Sequence, residues 1–289
     1  MRGSSGVLLV AALICGGVQT GGARVLLYPT ALSRSVNLME GLTWFPPTLN
    51  SEKECVAEET RGGPFSQNDH AWRIEFAPQS AYWRSYPTVE KGHVYLVGAW
   101  VRYSNAKVLI WSYGTQAEDG KLSDQRIYSF GGFNDYLLPY LSEKSLKKLG
   151  GDPAAWKLVY RVLEFPEALK DNRLCVGIGL YASTGAMVFS SPFLIDVTEE
   201  KDRSLTIDIA DVVNPIRSLK VLHTELKDTI WTKSFDAPIR EYKASLPVIT
   251  DFMRGFDQNK VFGHSLEVVH EDGVRQVVYA PHENVFQNR

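Results

Sequence analysis

Cysteine is scarce in this chain. Its 289 residues hold 3, at Cys15, Cys55 and Cys175, too few for a disulfide-dense small scaffold. Neither charge sign is in excess. With 31 Lys and Arg against 33 Asp and Glu, the net charge is −2 and the pI near 6.3, so no broad positive field exists to gather phosphates. Nucleic acid is therefore excluded as a natural partner. The 6 histidines, His70, His93, His223, His264, His270 and His282, are scattered and never form the close pair that most metal sites need. No phosphate loop, dinucleotide fingerprint or serine nucleophile elbow occurs. Beyond the first residues, no apolar run reaches the roughly 20 residues of a membrane-spanning helix. Helical periodicity is rare between Arg24 and Thr198, and internal repeats are missing.

What is present is apolar and aromatic. At 44% hydrophobic, 11% aromatic and 22% charged residues, the chain can offset its ordering entropy by burial, and its length suits one large or two medium domains. Residues 1–23 carry Arg2, then the apolar run Val7 to Ile14, then small residues ending at Gly21, Gly22 and Ala23. This pattern predicts a secretory signal peptide cleaved near Ala23 and a mature protein that is secreted, periplasmic or held at the cell envelope. A lipid-attachment role for Cys15 is the rival reading, disfavoured by bulky Ile14. Removing the leader leaves Cys55 and Cys175, an even pair in an exported chain that suits one long-range disulfide; two buried thiols are the alternative.

Short alternating or β-branched runs separated by Gly, Pro, Asn and Asp predict an all-β fold. The candidate strands are Val25–Tyr28, Cys55–Glu59, Ala71–Phe76, Ala81–Tyr86, His93–Tyr103, Lys107–Tyr113, Trp156–Phe165, Arg173–Tyr181 and Val188–Val197, with one short helix at Ser142–Leu149. The charged stretch from Glu199 to Arg203 reads as a solvated connection. It divides a jelly-roll β-sandwich over residues 24–198 from a smaller immunoglobulin-like β-sandwich over 199–289, where Asp272-Gly273 between apolar runs signals a hairpin.

The run KGHVYLVGAWVR from Lys91 to Arg102 resembles the central strand of jelly-roll carbohydrate-binding modules of the family 4, 9 and 22 type, a galactose-binding-like β-sandwich. Three further pieces fall in matching order: Asn37 to Gly41, Trp156 opening a late strand, and Val176 to Tyr181 before the closing run Phe193 to Thr198. The similarity covers roughly Arg24 to Thr198. It implies a glycan or polysaccharide partner, and a structural calcium held in part by paired acidic residues before the last strand. Ser190 and Ser191 stand in those positions here, which weakens such a site and leaves Glu40 and Asp196 as the candidate ligands. No other cofactor is implied.

Alternation along a strand sorts the aromatic residues by face. If Val176, Ile178 and Leu180 face inward, Cys175, Gly177, Gly179 and Tyr181 line the other side, and two glycines there make a shallow trough. Trp100 and Arg102 are expected to border it, Trp111 and Tyr113 to wall it, and Trp83, Arg84 and Tyr136 to reach it from loops. Sugar rings lay C–H faces on aromatic rings while their hydroxyls bond planar charged groups, so this set suits a glycan. Burial in the core is the competing role for each tryptophan. The first reading is an exported, non-enzymatic, carbohydrate-binding protein. A cell-envelope structural or adhesion protein, binding a cell-surface protein or nothing, is the second. Third is a jelly-roll lyase or hydrolase drawing on His70, Arg73, Arg84 and Arg102 or on Glu75, Glu90 and Glu164.

Overall fold

The computed structural model describes residues 24–47, 55–106, 108–118, 121–129, 155–164, 172–199, 204–223, 229–246 and 264–279. The expected leader and the expected helix at Ser142–Leu149 lie outside them. The described residues are all-β apart from one 3-10 turn at Thr30–Ser33. In the first part of the chain the strands are β1 (Arg24–Pro29), β2 (Val56–Arg61), β3 (His70–Ser85), β4 (Val94–Ser104), β5 (Val108–Glu118), β6 (Lys121–Ser129), β7 (Lys157–Glu164) and β8 (Leu174–Asp196). Then follow β9 (Leu205–Ala210), β10 (Ile216–His223), β11 (Thr229–Ile239), β12 (Tyr242–Leu246), β13 (His264–His270) and β14 (Arg275–Tyr279). Every ladder is antiparallel.

Two strands are far longer than usual: β3 has 16 residues and β8 has 23, against roughly 3 to 10 in most strands. Each serves two layers. The first half of β3, from Ala71, pairs with the second half of β8 up to Ser190, and its second half, Ser80 to Ser85, pairs with β8 from Tyr181 to Val176. Between these halves the register shifts at Glu75/Ala77 and Ala77/Ser80, and Phe76 takes a positive φ of 54°. A bulge of this kind bends a strand without ending it. One layer is therefore β2-β3-β8-β4-β7, and the other is formed by the remaining halves of β3 and β8 with β5 and β6. Sequence alternation alone divides each long strand in two, because a bulge interrupts the period of two just as a loop does.

Between the layers lies the jelly-roll core. Val97, Ala99 and Val101 of β4, Val176, Ile178 and Leu180 of β8, and Ile110 of β5 all face it, as period-two alternation requires. A second bulge at Ser191, φ 48°, inverts the parity of β8. Met187 and Phe189 point into this core and so does Leu194, whereas Phe193 and Ile195 turn to the outer side. Asn37 holds this bulged segment: its Oδ1 accepts from the backbone N–H groups of Met39 and Leu194 at 3.0 and 3.1 Å, and its Nδ2 donates to the Pro192 carbonyl at 3.0 Å.

The outer side of the first layer is covered in turn. Leu96, Trp100, Leu158, Tyr160, Phe193 and Ile195 pack against Leu26 and Tyr28 of β1. β1 pairs with β9, which pairs with β12, so the first strand of the chain joins a sheet built from residues beyond Thr198. The opposite face of that sheet, with Leu27, Ile207 and Ile209, meets Leu219, Val221, Leu266 and Val268 of the β11-β10-β13-β14 sheet around a second core. The expected turn at Asp272-Gly273 does join β13 to β14, with Gly273 at φ 84°. Near the middle of the β1–β9 ladder, buried Asp208 accepts from Arg24 Nε at 2.9 Å and from the Tyr28 hydroxyl at 3.4 Å. Burial, helped by this carboxylate, pushes the Tyr28 phenol up to about 12.

Two predictions follow from these constraints. A methyl group on Gly185 would stand 1.9 Å from the Ser104 carbonyl oxygen and 2.4 Å from that of Asn105. Backbone atoms must then separate at the point where β8 leaves β4. Gly185→Ala should cost about 1–3 kcal/mol, read as a lower denaturant midpoint at an unchanged slope. The second concerns the end of β8, where His93 Nδ1 and Asp196 Oδ2 lie 2.6 Å apart and Glu90 approaches Nε2 at 3.4 Å. The Asp196 bond raises the His93 pKa above its usual value of about 6.5. At Asp196 burial acts upward, but the bonds from His93 and Thr198 outweigh it and the net shift is downward. The histidine's contribution to stability is complete below pH 6.5 and disappears as pH rises through its raised folded-state pKa; the aspartate's is present above its unfolded value and disappears in acid. NMR titration should place His93 above 6.5 in the native protein and lower in Asp196→Asn.

Candidate functional site

The layer built from the second half of β3 gains a further edge from the chain before β2. Phe45 and Arg84 exchange both backbone hydrogen bonds, at 2.8 and 2.9 Å. Alternation then sends Trp44 inward, where its ring meets those of Trp72 and Phe189, each at 5.3 Å between centroids. Phe45 goes outward and is 47% exposed. The same alternation on β3 places Trp83 in the core and leaves Tyr82 and Arg84 half-buried on the outside.

The outer side chains touch one another. Phe45 and Tyr86 meet edge-on with centroids 5.8 Å apart, and the Arg84 guanidinium carbon lies 5.9 Å from the Tyr82 ring centroid. On β8, Leu174, Val176, Ile178 and Leu180 belong to the core, which leaves Cys175, Gly177 and Gly179 on the outer side. In the ladder Gly177 stands opposite Arg84 on one flank and Trp111 on the other, and Cys175 stands opposite Tyr113. Before β8 begins, Arg173 bridges to Thr88 and is exposed; alternation from inward Leu174 puts it on this same outer side.

Several expectations are corrected by this arrangement. Trp83 is 4% exposed, inside the core with its Nε1 donating to the Arg73 carbonyl at 3.4 Å, so it offers no platform to a ligand. Trp100 does lie on the outer side of β4, but it is 3% exposed, covered by Tyr28 at 6.1 Å and Phe65 at 5.7 Å. Arg102 is exposed and lies over the Trp156 ring at 5.1 Å. Neither Trp100 nor Arg102 borders the glycines. β4 pairs with the second half of β8, where Arg102 faces Val188, whereas Gly177 and Gly179 belong to the half that pairs with β5. The trough itself is closed: both glycines are buried, and a methyl on Gly179 would stand 2.0 Å from the Ala81 carbonyl oxygen and 2.5 Å from Tyr82 Cα. Gly179 serves the close approach of β3. Trp111, Tyr113 and Tyr181 stand on described strands, but their side chains lie outside the described residues, as does all of Tyr136.

No disulfide joins Cys55 and Cys175. Cys55 sits at the start of β2 on the border of the core, where burial raises its thiol pKa, while Cys175 is buried on the outer side of β8 in the other layer. The calcium candidates stand apart in their bonding. Asp196 gives one oxygen to His93 and the other to the Thr198 backbone and hydroxyl, at 2.9 and 2.7 Å, and Glu40 is exposed. Among the described residues no cluster of three or more His, Cys, Asp or Glu side chains could hold a metal ion. Ser190, in the position of an expected acidic residue, donates to the His70 carbonyl at 2.9 Å.

Among the residues weighed for catalysis, His70, Arg73 and Glu75 form surface ion pairs. Arg73 bonds Glu58 at 2.6 Å and also Glu75, while His70 Nε2 and Glu59 lie 3.1 Å apart. Cross-strand pairing explains these contacts, since Glu58 opposes Arg73 in the β2–β3 register.

No family model matches the chain, and no curated protein matches it. Solved structures do. A CBM4 module is similar over 56% of this chain and 93% of its own, at 12% identity and a TM-score of 0.34. The CBM22-1 xylan-binding domain from Paenibacillus barcinonensis is similar over 61% of this chain and 97% of its own, at 10% identity and a TM-score of 0.33. The enzymatically active domain of bacteriophage CBA120 tailspike protein 4 is similar over 55% of this chain, which spans 20% of that domain, at 11% identity and a TM-score of 0.33. These are likenesses of strand arrangement.

Sequence reasoning passed over Phe45 and Arg173. The signal for Phe45 was the neighbouring pair Trp44-Phe45 ahead of two prolines, one ring for each face of a short edge segment. For Arg173 it was position alone, two residues before Cys175 on an alternating strand. Trp83→Ala should therefore destabilise the fold by about 3–5 kcal/mol, whereas Tyr82→Ala should cost about 1 kcal/mol or less, compared by chemical denaturation.

Proposed function

We propose that this protein is an exported, non-enzymatic carbohydrate-binding protein, and that the outer side of the β3–β8–β5 layer is its glycan-contacting surface. The observation that carries the reading is the group Phe45, Tyr82, Arg84 and Tyr86: one well-exposed ring and two half-buried rings around a guanidinium, all on one side of one layer. Aromatic faces accept the C–H faces of sugar rings, and a planar cation with several N–H donors donates to their oxygens. The ladder fixes the geometry, because Phe45 and Arg84 are held by paired backbone bonds. Trp111 and Tyr113, opposite Gly177 and Cys175, extend the candidate surface across β5. Tyr181 and Tyr136 are assigned to the same surface as part of this reading. Residues 199–289 are assigned to a second, smaller β-sandwich unit, which β1 completes.

Surface sugar sites bury little area, so affinity should be modest. Gel retardation and calorimetry against a panel of soluble polysaccharides test the reading. The unaltered protein should bind at least one of them, and the double variant Phe45→Ala/Tyr86→Ala should bind it at least about tenfold more weakly, a loss of about 1.4 kcal/mol. Its unfolding midpoint should stay close to that of the parent. Failure to bind any glycan, or undiminished binding by the variant, would sink the assignment.

A further inference from the structure

β1 covers only part of the outer side of the first layer. Along β4, Trp100 is buried against Tyr28, while Arg102, two residues further on the same side, is exposed. The ladders place Arg102 in a row that crosses the layer: Glu58 of β2 opposes Arg73 of β3, Arg73 opposes Val188 of β8, and Val188 opposes Arg102. Trp156, just ahead of β7, ends the row with its ring centroid 5.1 Å from the Arg102 guanidinium carbon. The two arginines differ in their partners. Arg73 bonds Glu58 and Glu75, whereas among the described residues Arg102 has no ion pair and no hydrogen bond, only the Trp156 ring. Although the side chain reaches solvent, its neighbours remove water from the guanidinium and this desolvation lowers its pKa. Beside it, Phe65 rests edge-on against Trp100 and is 42% exposed. A closed loop holds that ring: the Gly63 N–H donates to the Ser66 carbonyl at 2.8 Å, and the Ser66 N–H donates to Asp69 Oδ2 at 3.0 Å.

We infer that Arg102, Phe65 and Trp156 form a second saccharide contact, on the layer opposite the Phe45 surface, and that it takes an acidic sugar residue. The sugar's carboxylate lies on the Arg102 guanidinium and the apolar face of its ring on Phe65. The inference takes its class of ligand from the carbohydrate-binding reading and none of its residues. A partly desolvated guanidinium without an acceptor is matched by a pair of anionic oxygens, because its planar fork of N–H donors fits the two oxygens of a carboxylate. Trp156 holds that fork flat, which lowers the entropy lost when an anion binds. Trp100 and Arg102 are two residues apart, roughly 7 Å along the strand, so Phe65 over Trp100 sets an apolar ring next to the cation. A neutral sugar would leave the guanidinium unmatched, and a simple carboxylate ion would leave the phenyl ring unused. Contacts on both layers let one molecule hold two stretches of polysaccharide at once.

The experiment is calorimetric titration of the full chain with oligogalacturonate, which carries a carboxylate on every ring, with neutral xylo-oligosaccharide, and with the tripeptide Gly-Gly-Phe. Expected is binding of oligogalacturonate with an affinity that falls as salt is added. Arg102→Gln should weaken it by about tenfold or more, and Arg102→Lys, which keeps the charge and loses the fork, by nearly as much. Phe65→Ala should weaken it by about threefold or more. Arg217→Gln, at an exposed arginine of β10, should leave it unchanged, and so should Phe45→Ala/Tyr86→Ala. Unfolding midpoints close to the parent's show that each loss is a loss of contact. An equal loss in Arg217→Gln would reveal diffuse charge attraction and overturn the inference, as would tighter binding of the tripeptide. Oligogalacturonate binding that Arg102→Gln retains and Phe45→Ala/Tyr86→Ala abolishes overturns it while the carbohydrate-binding reading stands. So does binding of xylo-oligosaccharide alone. Binding to no saccharide of any kind removes both.

Discussion

Everything in the first sandwich depends on two strands turning a corner without breaking. β3 and β8 lie beside one another in both layers, so the bend must occur in both at nearly the same level. On β3 it is made by the bulge around Phe76. On β8 the corner holds Gly185, whose missing side chain lets the Ser104 and Asn105 carbonyls of the β4 turn approach. The outcome is a core closed on one side by continuous chain. That closure decides which residues are neighbours on the outside: the halves of β8 present different sets to solvent, and each pairs with a different partner strand.

β1 extends the same principle to the rest of the molecule. Its alternate residues feed two cores, Leu27 on one side and Leu26 with Tyr28 on the other. A strand that buries both faces contributes roughly 1.5–3 kcal/mol for each large apolar side chain it removes from water. Its Tyr28 and Arg24, with Lys243 of β12, also compensate the buried carboxylate of Asp208. The tryptophan at position 100 is where this matters for function. A ring on the outer side of a jelly-roll strand is a natural sugar platform, and β1 occupies the space a sugar would need.

The all-β class, the identity of most strands and the inward set on β8 were legible because period-two alternation survives in any sheet with one buried face. The turn at Asp272-Gly273 was legible because its backbone demands glycine. Alternation does not say what lies over a face. Leu96, Gly98, Trp100 and Arg102 form an outer set, and nothing local distinguishes cover by a distant strand from exposure to solvent. Pairing partners are equally non-local, so Trp100 and the glycines of β8 seem adjacent in a list of outward residues although different halves of the strand carry them. The parity inversion at Ser191 is invisible for the same reason: an ordinary residue there adopts φ 48°, and the segment just after it, at Pro192 and Leu194, is held by Asn37 some 150 residues earlier. Trp83 was read incorrectly as a loop residue open to a ligand, from an uncertainty about where a loop ends and a strand begins.

Position on a bent strand also fixes the geometry of the outer rings of this layer. Phe45 is held by two backbone bonds to Arg84, and Arg84 by the same two bonds and by the Tyr82 ring. Inward Trp44 and Trp83, each immediately before one of those residues in sequence, are locked in the core and prevent the edge segment from sliding. A register shift of one residue would exchange Trp44 with Phe45, burying the exposed ring and exposing the buried one, and the core contacts of Trp44 with Trp72 and Phe189 oppose it. Core packing thus sets the surface geometry directly. Trp83, nominated for a ligand by its chemistry, acts one residue removed, by holding Arg84 in place.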